Sequence, residues 1–178
     1  MRHYFLTSQR LGFGIWQQED LAIAMQLWGD FKVTRLFDNR GPLTQTQVNH
    51  RLQQEITTQQ QYGYQYWPLF ARTSQQLIGC AGLRPYDQQR HILEIGFHIC
   101  AQYWRQGYAS EAATTVIDYA FETLQVTALF AGHHPENTGS RQLLTSLGFT
   151  YTHDEFYAPT GLQHPSYLLT ANSRLSSH

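Results

Sequence analysis

The residues best placed to do chemistry lie where a predicted strand ends and a predicted helix begins. Residues 93–100 alternate between apolar and polar positions, and residues 109–124 carry apolar side chains at helical spacing. A helix start presents unpaired backbone N–H groups and a partial positive charge, and small residues such as Gly107 and Ala109 let an anion approach them. We therefore predict that the linking segment Trp104-Arg105-Gln106-Gly107-Tyr108-Ala109-Ser110 binds a phosphorylated ligand.

Two other phosphate-binding motifs are absent from the sequence. A P-loop requires Gly-Lys followed by Ser or Thr, and the dinucleotide fingerprint requires three spaced glycines. Neither pattern occurs in the chain.

A second helix start follows the strand predicted at residues 128–131. Asn137 is followed three residues later by Ser140, and Gly148-Phe149 comes eleven residues after Asn137. Asn is among the residues favoured at helix N-caps. Asn137 is therefore expected to be a helix cap, a ligand contact or both.

The two segments together resemble those of the GNAT N-acetyltransferases, most closely the branch that includes the ribosomal-protein N-terminal acetyltransferases. Gly107 and Ala109 match the last two fixed positions of that family's acetyl-coenzyme A loop, whereas Trp104 stands where Arg or Gln is usual. Asn137 and Ser140 match the second motif of the family. The resemblance implies an acyltransferase that moves acetyl from acetyl-coenzyme A directly to a primary amine of a peptide N-terminus or a small molecule.

The resemblance also implies which residues contact the cosubstrate. Backbone groups of the loop would hold the pyrophosphate, Asn137 would contact the cofactor arm, and the end of a splayed strand would face the thioester. The expected cofactor-binding residues are Ile99, Cys100, Arg105, Gln106, Gly107, Tyr108, Ala109, Ser110, Asn137 and Ser140.

The acid that protonates the departing thiolate is not the usual one. Many GNAT enzymes carry a Tyr seven residues after the motif Asn, and here that position is Leu144. The resemblance then leaves Ser140, Tyr157, Tyr167 or water for this role. Ser140 is the first choice because the related branch also has Ser there.

The need for a base depends on the acceptor amine. An α-amine is about 15% neutral at pH 7, whereas a lysine amine is only about 0.04% neutral. Glu94 and His98 share one predicted strand face, and each is either a base, acting directly or through water, or a structural polar group. Direct transfer is favoured, and Cys100 leaves a covalent acetyl-enzyme as an alternative.

Histidines and acidic residues in the last third of the chain are candidate acceptor ligands. We expect His134, Glu155 and His164, with Tyr157, to form an acceptor pocket through hydrogen bonds and charge. No histidine or cysteine spacing matches a zinc signature, so no metal is expected.

Composition excludes several classes of protein. The 178-residue chain has a formal net charge of −1, so neither nucleic acid nor a membrane surface is an expected partner. The start lacks the apolar core of a signal peptide, and no run is apolar enough for a membrane helix. We expect a cytoplasmic monomer or homodimer with two buried, reduced cysteines. A non-catalytic acyl-coenzyme A sensor with the same fold is the alternative, supported by Leu144.

The order of predicted elements indicates an α+β fold. We expect a central mixed, mostly antiparallel sheet of about six to seven strands flanked by about four helices. A capping box at Thr44 begins one helix, which we extend to about Gln60, and a turn is predicted at Pro85 and Asp87. Residues 1–172 are predicted to form one domain, and residues 173–178 a disordered tail.

Overall fold

One sheet with helices on both faces organises the molecule, and the computed structural model describes residues 2–175. The strands are β1 (Leu6–Thr7), β2 (Leu11–Phe13), β3 (Tyr66–Ala71), β4 (Leu77–Asp87), β5 (Ile92–Ile99), β6 (Ala128–Gly132), β7 (Thr150–Tyr157) and β8 (Leu162–Thr170). The helices are α1 (Leu21–Trp28), α2 (Phe31–Thr34), α3 (Gln45–Tyr62), α4 (Tyr108–Glu122), α5 (Thr138–Ser146) and α6 (Ala171–Leu175). Two 3-10 turns lie at Gln18–Asp20 and Ala101–Tyr103.

The sheet has eight strands in the order β1-β2-β3-β4-β5-β6-β8-β7. All neighbouring strands are antiparallel except β5 and β6, which are parallel. The predicted α+β class is confirmed. The described residues contain more elements than predicted because β1, α2 and α6 are too short to produce a periodic pattern.

The two faces of the sheet carry separate hydrophobic cores. On one face, Ala112, Val116 and Ala120 of α4 pack in a buried cluster with Leu93 and Ile95 of β5. On the other face, α1 and α3 cover the β3–β4 hairpin, and that buried cluster includes Trp28, Leu52, Phe70 and Cys80.

The predicted start of α3 is confirmed. The Thr44 hydroxyl accepts from the Gln47 N–H at 3.3 Å, and the Gln47 side chain accepts from the Thr44 N–H at 2.8 Å. The helix ends at Gly63, whose φ of +80° is the left-handed conformation that glycine adopts at helix ends. It therefore runs two residues past the predicted end at Gln60.

Two strands contain prolines close to where their pairing with a neighbour ends. β4 continues through Pro85 to Asp87, where the sequence predicted a turn, and β8, which begins at Leu162, includes Pro165. Both prolines lie beyond the last pairing with a neighbour on one side, because the pairing of β4 with β3 ends at Gly82 and the pairing of β8 with β6 ends at Ser166. A missing N–H removes no ladder hydrogen bond at such an edge.

The end of the described chain corrects part of the tail prediction. Residues 173–175 belong to helix α6, which follows β8 directly. The rest of that prediction, residues 176–178, lies outside the described residues. Of the helices formed by residues 2–175, none is both long and apolar enough to cross a lipid bilayer.

Candidate functional site

A cavity opens where the parallel strands β5 and β6 separate. Their last paired residues are Glu94 and Phe130, although β5 continues to Ile99 and β6 to Gly132. The cavity has a volume of about 670 Å³, within the range of small-molecule sites. Its walls include the first turns of α4 and α5, part of the segment that contains α2, and residues of the β7–β8 hairpin.

The start of α4 forms one end of this cavity. Gly107 caps the helix with φ +80°, and Arg105 also has a positive φ of +59°. The first hydrogen bond of the helix runs from the Glu111 N–H to the Gly107 carbonyl at 3.1 Å. The N–H groups of residues 108–110 therefore have no acceptor within the helix, which is the arrangement that binds anionic groups.

An ion pair from the other end of the chain fixes this loop. Arg10 donates from Nε to Glu111 at 2.6 Å and from Nη1 to the Gln106 carbonyl at 3.0 Å. Glu111 also accepts from the Ser8 hydroxyl at 2.6 Å, and the Arg10 guanidinium lies 4.3 Å from the centre of the Tyr108 ring. These contacts hold the pKa of Glu111 below its usual value. No local pattern in the sequence indicates this pair, because its residues lie 101 positions apart.

The start of α5 forms the neighbouring wall. The Asn137 side-chain oxygen accepts from the Ser140 N–H at 3.0 Å, so the predicted capping role is confirmed. Asn137 and Ser140 both line the cavity. Leu144, at the position where the family has Tyr, is only 2% exposed and packs in the core.

Glu94 is the acidic group at the point where the strands separate. Its carboxylate accepts from the Tyr66 hydroxyl at 2.9 Å, and Arg84 occupies the paired position on β4. Burial raises the pKa of Glu94, although Arg84 and the Tyr66 hydrogen bond oppose that rise. A carboxylate with a raised pKa is a better proton acceptor than an exposed glutamate.

His98, the other candidate base, is already occupied by protein contacts. Its Nδ1 lies 3.3 Å from the indole Nε1–H of Trp28 and 3.6 Å from the Cys80 sulfur, and its ring stacks on Phe37 at 4.2 Å. Burial holds the pKa of His98 well below its usual value, so the ring is neutral at pH 7. This environment favours Glu94 as the base.

Three of the predicted acceptor-pocket residues lie together on the β7–β8 side of the cavity. The His164 ring packs on Tyr157 with ring centres 4.7 Å apart, and His134 lies 5.7 Å from His164. The Nε2 atom of His164 is 2.7 Å from the Thr160 hydroxyl. Burial, together with the neighbouring His134, lowers the pKa of His164 to about 4, so this ring is a neutral hydrogen-bonding group.

Glu155 supplies a second carboxylate to the cavity wall. It accepts from the Tyr86 hydroxyl at 2.9 Å, and the Tyr86 ring stacks on Phe130 at 3.8 Å. The Glu155 side chain remains 43% exposed. It is therefore placed to attract a cationic amine from solvent.

Comparisons with known proteins agree with this geometry. The model of the acetyltransferase (GNAT) domain matches residues 10–150. The chain belongs to the GNAT acetyltransferases. The uncharacterized N-acetyltransferase p20 of Bacillus licheniformis is 32% identical over 145 residues, which cover 81% of each chain. The FsC-acetyl coenzyme A-N(2)-transacetylase of Aspergillus fumigatus is 33% identical over 63 residues, 35% of this chain and 27% of the relative.

A solved structure supports the same fold. RimL, a ribosomal L7/L12 alpha-N-protein acetyltransferase, superposes with a TM-score of 0.80 over 96% of this chain and 95% of its own. The two sequences are 14% identical, so the likeness extends to the fold alone. The family match and the N-acetyltransferase relatives, rather than this fold likeness, show that the chain is an acyltransferase of the GNAT type.

Two of the expected cofactor-binding residues, Cys100 and Gln106, do not line the cavity that residues 2–175 form. The Cys100 N–H donates to the Ile78 carbonyl at 2.9 Å, and the Cys100 carbonyl accepts from the Tyr103 N–H at 2.9 Å. Gln106 is turned towards Gln102, to whose carbonyl its side chain donates at 3.0 Å. Their polar groups are therefore used within the protein rather than turned to the cavity.

Trp104 marks the departure of this GNAT loop from the usual family pattern. Its indole Nε1–H donates to the Ile99 carbonyl at 2.7 Å, which ties the loop to the end of β5. Ile99 does line the cavity, as do Arg105, Gly107, Tyr108, Ala109 and Ser110. The Ile99 carbonyl, however, already has a donor from the protein.

The cysteines of this GNAT protein are free and buried, as predicted. Burial raises the pKa of the Cys100 thiol to about 11 and also raises the pKa of Cys80. A thiol that stays protonated at pH 7 is a poor nucleophile. Within residues 2–175, no three His, Cys, Asp or Glu side chains come close enough together to hold a metal ion.

Gly96 allows Tyr66 to reach Glu94, and we predict that alanine there damages the site. A Cβ at position 96 would lie 2.2 Å from the Tyr66 hydroxyl oxygen. Gly96→Ala should displace the Tyr66 ring, remove its hydrogen bond to Glu94 and lower the free energy of unfolding by about 1–3 kcal/mol. Urea unfolding measures the loss. Gly132→Ala, whose Cβ would meet only ordinary contacts at 3.8 Å, is the control and should be tolerated; equal stability of both variants would contradict the prediction.

Proposed function

We propose that the chain transfers acetyl from acetyl-coenzyme A directly to a primary amine of a peptide N-terminus or a small molecule. The observation that carries this proposal is one cavity that contains both an anion-binding helix start and a candidate base. One end holds the free amides of residues 108–110, and Glu94 lies where the strands part. An anion site and a base in the same cavity suit the transfer of acetyl from a thioester to an amine.

At the cofactor end, the backbone of residues 107–110 would bind the pyrophosphate, because a glycine at 107 keeps side-chain atoms away from these amides. Asn137 would contact the pantetheine arm through its Nδ2 donors, since its Oδ1 already caps α5. Acetyl-coenzyme A supplies the thioester carbonyl. Beyond Glu94, β5 no longer pairs with β6. The N–H groups of β5 that face β6 there are candidates to stabilise the developing oxyanion.

The reaction needs two proton transfers. Glu94 would accept the proton from the attacking amine as the new N–C bond forms. As the C–S bond breaks, the thiolate would receive a proton from Ser140 or Tyr157, both of which line the cavity. Burial raises the pKa of Tyr157, which keeps its hydroxyl protonated. Tyr167 is less suitable because its hydroxyl lies 3.2 Å from His133 in the buried interior.

Two single substitutions separate the candidate acids. If Ser140 is the acid, Ser140→Ala should lower kcat by about 10²-fold, whereas Tyr157→Phe should change it by less than about 3-fold. The opposite pattern would assign the acid to Tyr157. Small effects in both variants would leave water as the proton donor. Steady-state thiol release with saturating acetyl-coenzyme A measures these values.

The proposal as a whole is tested by titration calorimetry with coenzyme A, followed by thiol release from acetyl-coenzyme A with a panel of primary amines. We expect saturable binding and amine-dependent release. Binding without release for any amine would favour the acyl-coenzyme A sensor, and the absence of binding would refute both functions.

A further inference from the structure

Arg51 is a charged side chain in the cavity wall that the proposed reaction does not use. It lies on α3, and its guanidinium carbon is 4.9 Å from the ring centres of both Trp28 and Phe37. Its Nε is shut off from solvent and has no acceptor among residues 2–175. The side chain is therefore held in place by aromatic rings and not by an anion.

The nearby carboxylates already have other partners. Glu55 pairs with Arg84 and also accepts from the Tyr66 N–H at 2.9 Å, and Asp38 pairs with Arg40. Arg84 is thus a half-buried arginine with its counter-ion, whereas no ion pair joins Arg51 to a carboxylate within residues 2–175. Arg51 is only partly exposed, and a charge that has lost much of its water without gaining a partner is costly, so a fold that keeps one is suited to receive an anion from a ligand.

The position of Arg51 indicates which ligand that is. α3 covers the sheet face that carries Glu94 and His98, whereas the loop at residues 105–110 leads into α4 on the other face. The charge of Arg51 lowers the pKa of Tyr157, and the charge of Glu94 raises it. Both charges therefore act at the same tyrosine. Arg51 therefore belongs to the acceptor side of the cavity and not to the pyrophosphate site.

We propose that the acceptor is a primary amine that also carries a carboxylate, which Arg51 binds while the amine faces Glu94. The guanidinium can form two parallel hydrogen bonds with a carboxylate, and the rings of Phe37, Tyr66 and Tyr157 provide an apolar wall for the body of the acceptor. This inference rests on the proposed function and narrows it. The carboxylate can come from a free amino acid or from an acidic first residue of a peptide.

Matched acceptors test the inference. The wild-type protein is assayed by thiol release with L-phenylalanine, phenylalanine amide and phenethylamine, and with 4-aminobutyrate and its amide. Two short peptides that begin with Asp or Asn distinguish a peptide source from a free amino acid. We expect at least one carboxylate-bearing acceptor to exceed its neutral partner by about 10-fold or more in kcat/KM.

Substitution of Arg51 should remove this preference. Arg51→Met should raise KM for the carboxylate-bearing acceptor by about 10- to 100-fold, with little change for its neutral partner or for coenzyme A affinity. Arg51→Lys should keep part of the preference. Arg90→Met, at an exposed arginine that pairs with Asp87 at 3.9 Å, is the control and should leave every KM unchanged.

The melting temperature separates a binding role from a structural one. Because no residue in the described part of the chain serves Arg51 as a counter-ion, Arg51→Met should melt at the wild-type temperature or above it. Equal use of charged and neutral acceptors by the wild type, or an unchanged KM in Arg51→Met, would overturn the inference and leave the acetyltransferase proposal intact. Coenzyme A binding without thiol release for any amine would overturn both.

Discussion

Replacing Gly107 by valine should weaken coenzyme A binding by on the order of 10²-fold without unfolding the protein. Gly107 has φ +80° and caps α4 beside the free amides of residues 108–110. A β-branched residue is strained there by about 1–2 kcal/mol, and relief of that strain would turn the amides away from the cavity. Loss of two charge-assisted hydrogen bonds corresponds to a loss of this size. Titration calorimetry with coenzyme A measures it.

Gly63 provides a matched control for this substitution. It has the same φ of +80° at the end of α3, and no atom lies within 4 Å of a Cβ placed there. Gly63→Val should therefore lower stability by a similar amount and leave coenzyme A binding unchanged. If Gly107→Val bound coenzyme A as tightly as Gly63→Val, the pyrophosphate could not lie at this helix start.

Replacing Glu94 by glutamine should lower kcat/KM for an alkylamine acceptor by about 10²-fold or more at pH 7. Glutamine keeps the size of the side chain but cannot accept a proton. In the wild type, kcat/KM should fall as the pH drops through the raised pKa of Glu94, because the protonated carboxyl is no longer a base. In Glu94→Gln this fall, the acidic limb of the pH profile, should be absent. The residual rate should rise with pH as the free amine accumulates.

Tyr66 allows an independent check of that assignment. Its hydroxyl donates to Glu94 and lowers the carboxyl pKa, so Tyr66→Phe should move the acidic limb to higher pH and leave the rate at high pH nearly unchanged. Glu19→Gln, at an exposed residue outside the cavity walls, is the control for general loss of charge. A Glu94→Gln profile identical to that of Glu19→Gln would exclude Glu94 as the base.

The sequence alone predicted the features that depend on neighbours in the chain. The capping box at Thr44, the alternation along β5 and the small residues at the start of α4 each act over a few positions, so their structural meaning is readable from spacing. The same holds for the Asn137 cap. The family resemblance rested on these local signals, and the match to the GNAT domain supports it.

The site itself was decided by contacts between distant parts of the chain. Arg10 reaches Glu111, and Tyr66 covers Gly96 to reach Glu94. Glu55 and Asp38 pair with other arginines, which leaves Arg51 without a carboxylate partner among the residues that the structure describes. None of these pairings has a local pattern, because the free energy of a buried charge depends on which groups the fold brings beside it. Spacing along the chain determined where the helices and strands begin, and tertiary packing determined which side chains in the cavity are free to bind a substrate.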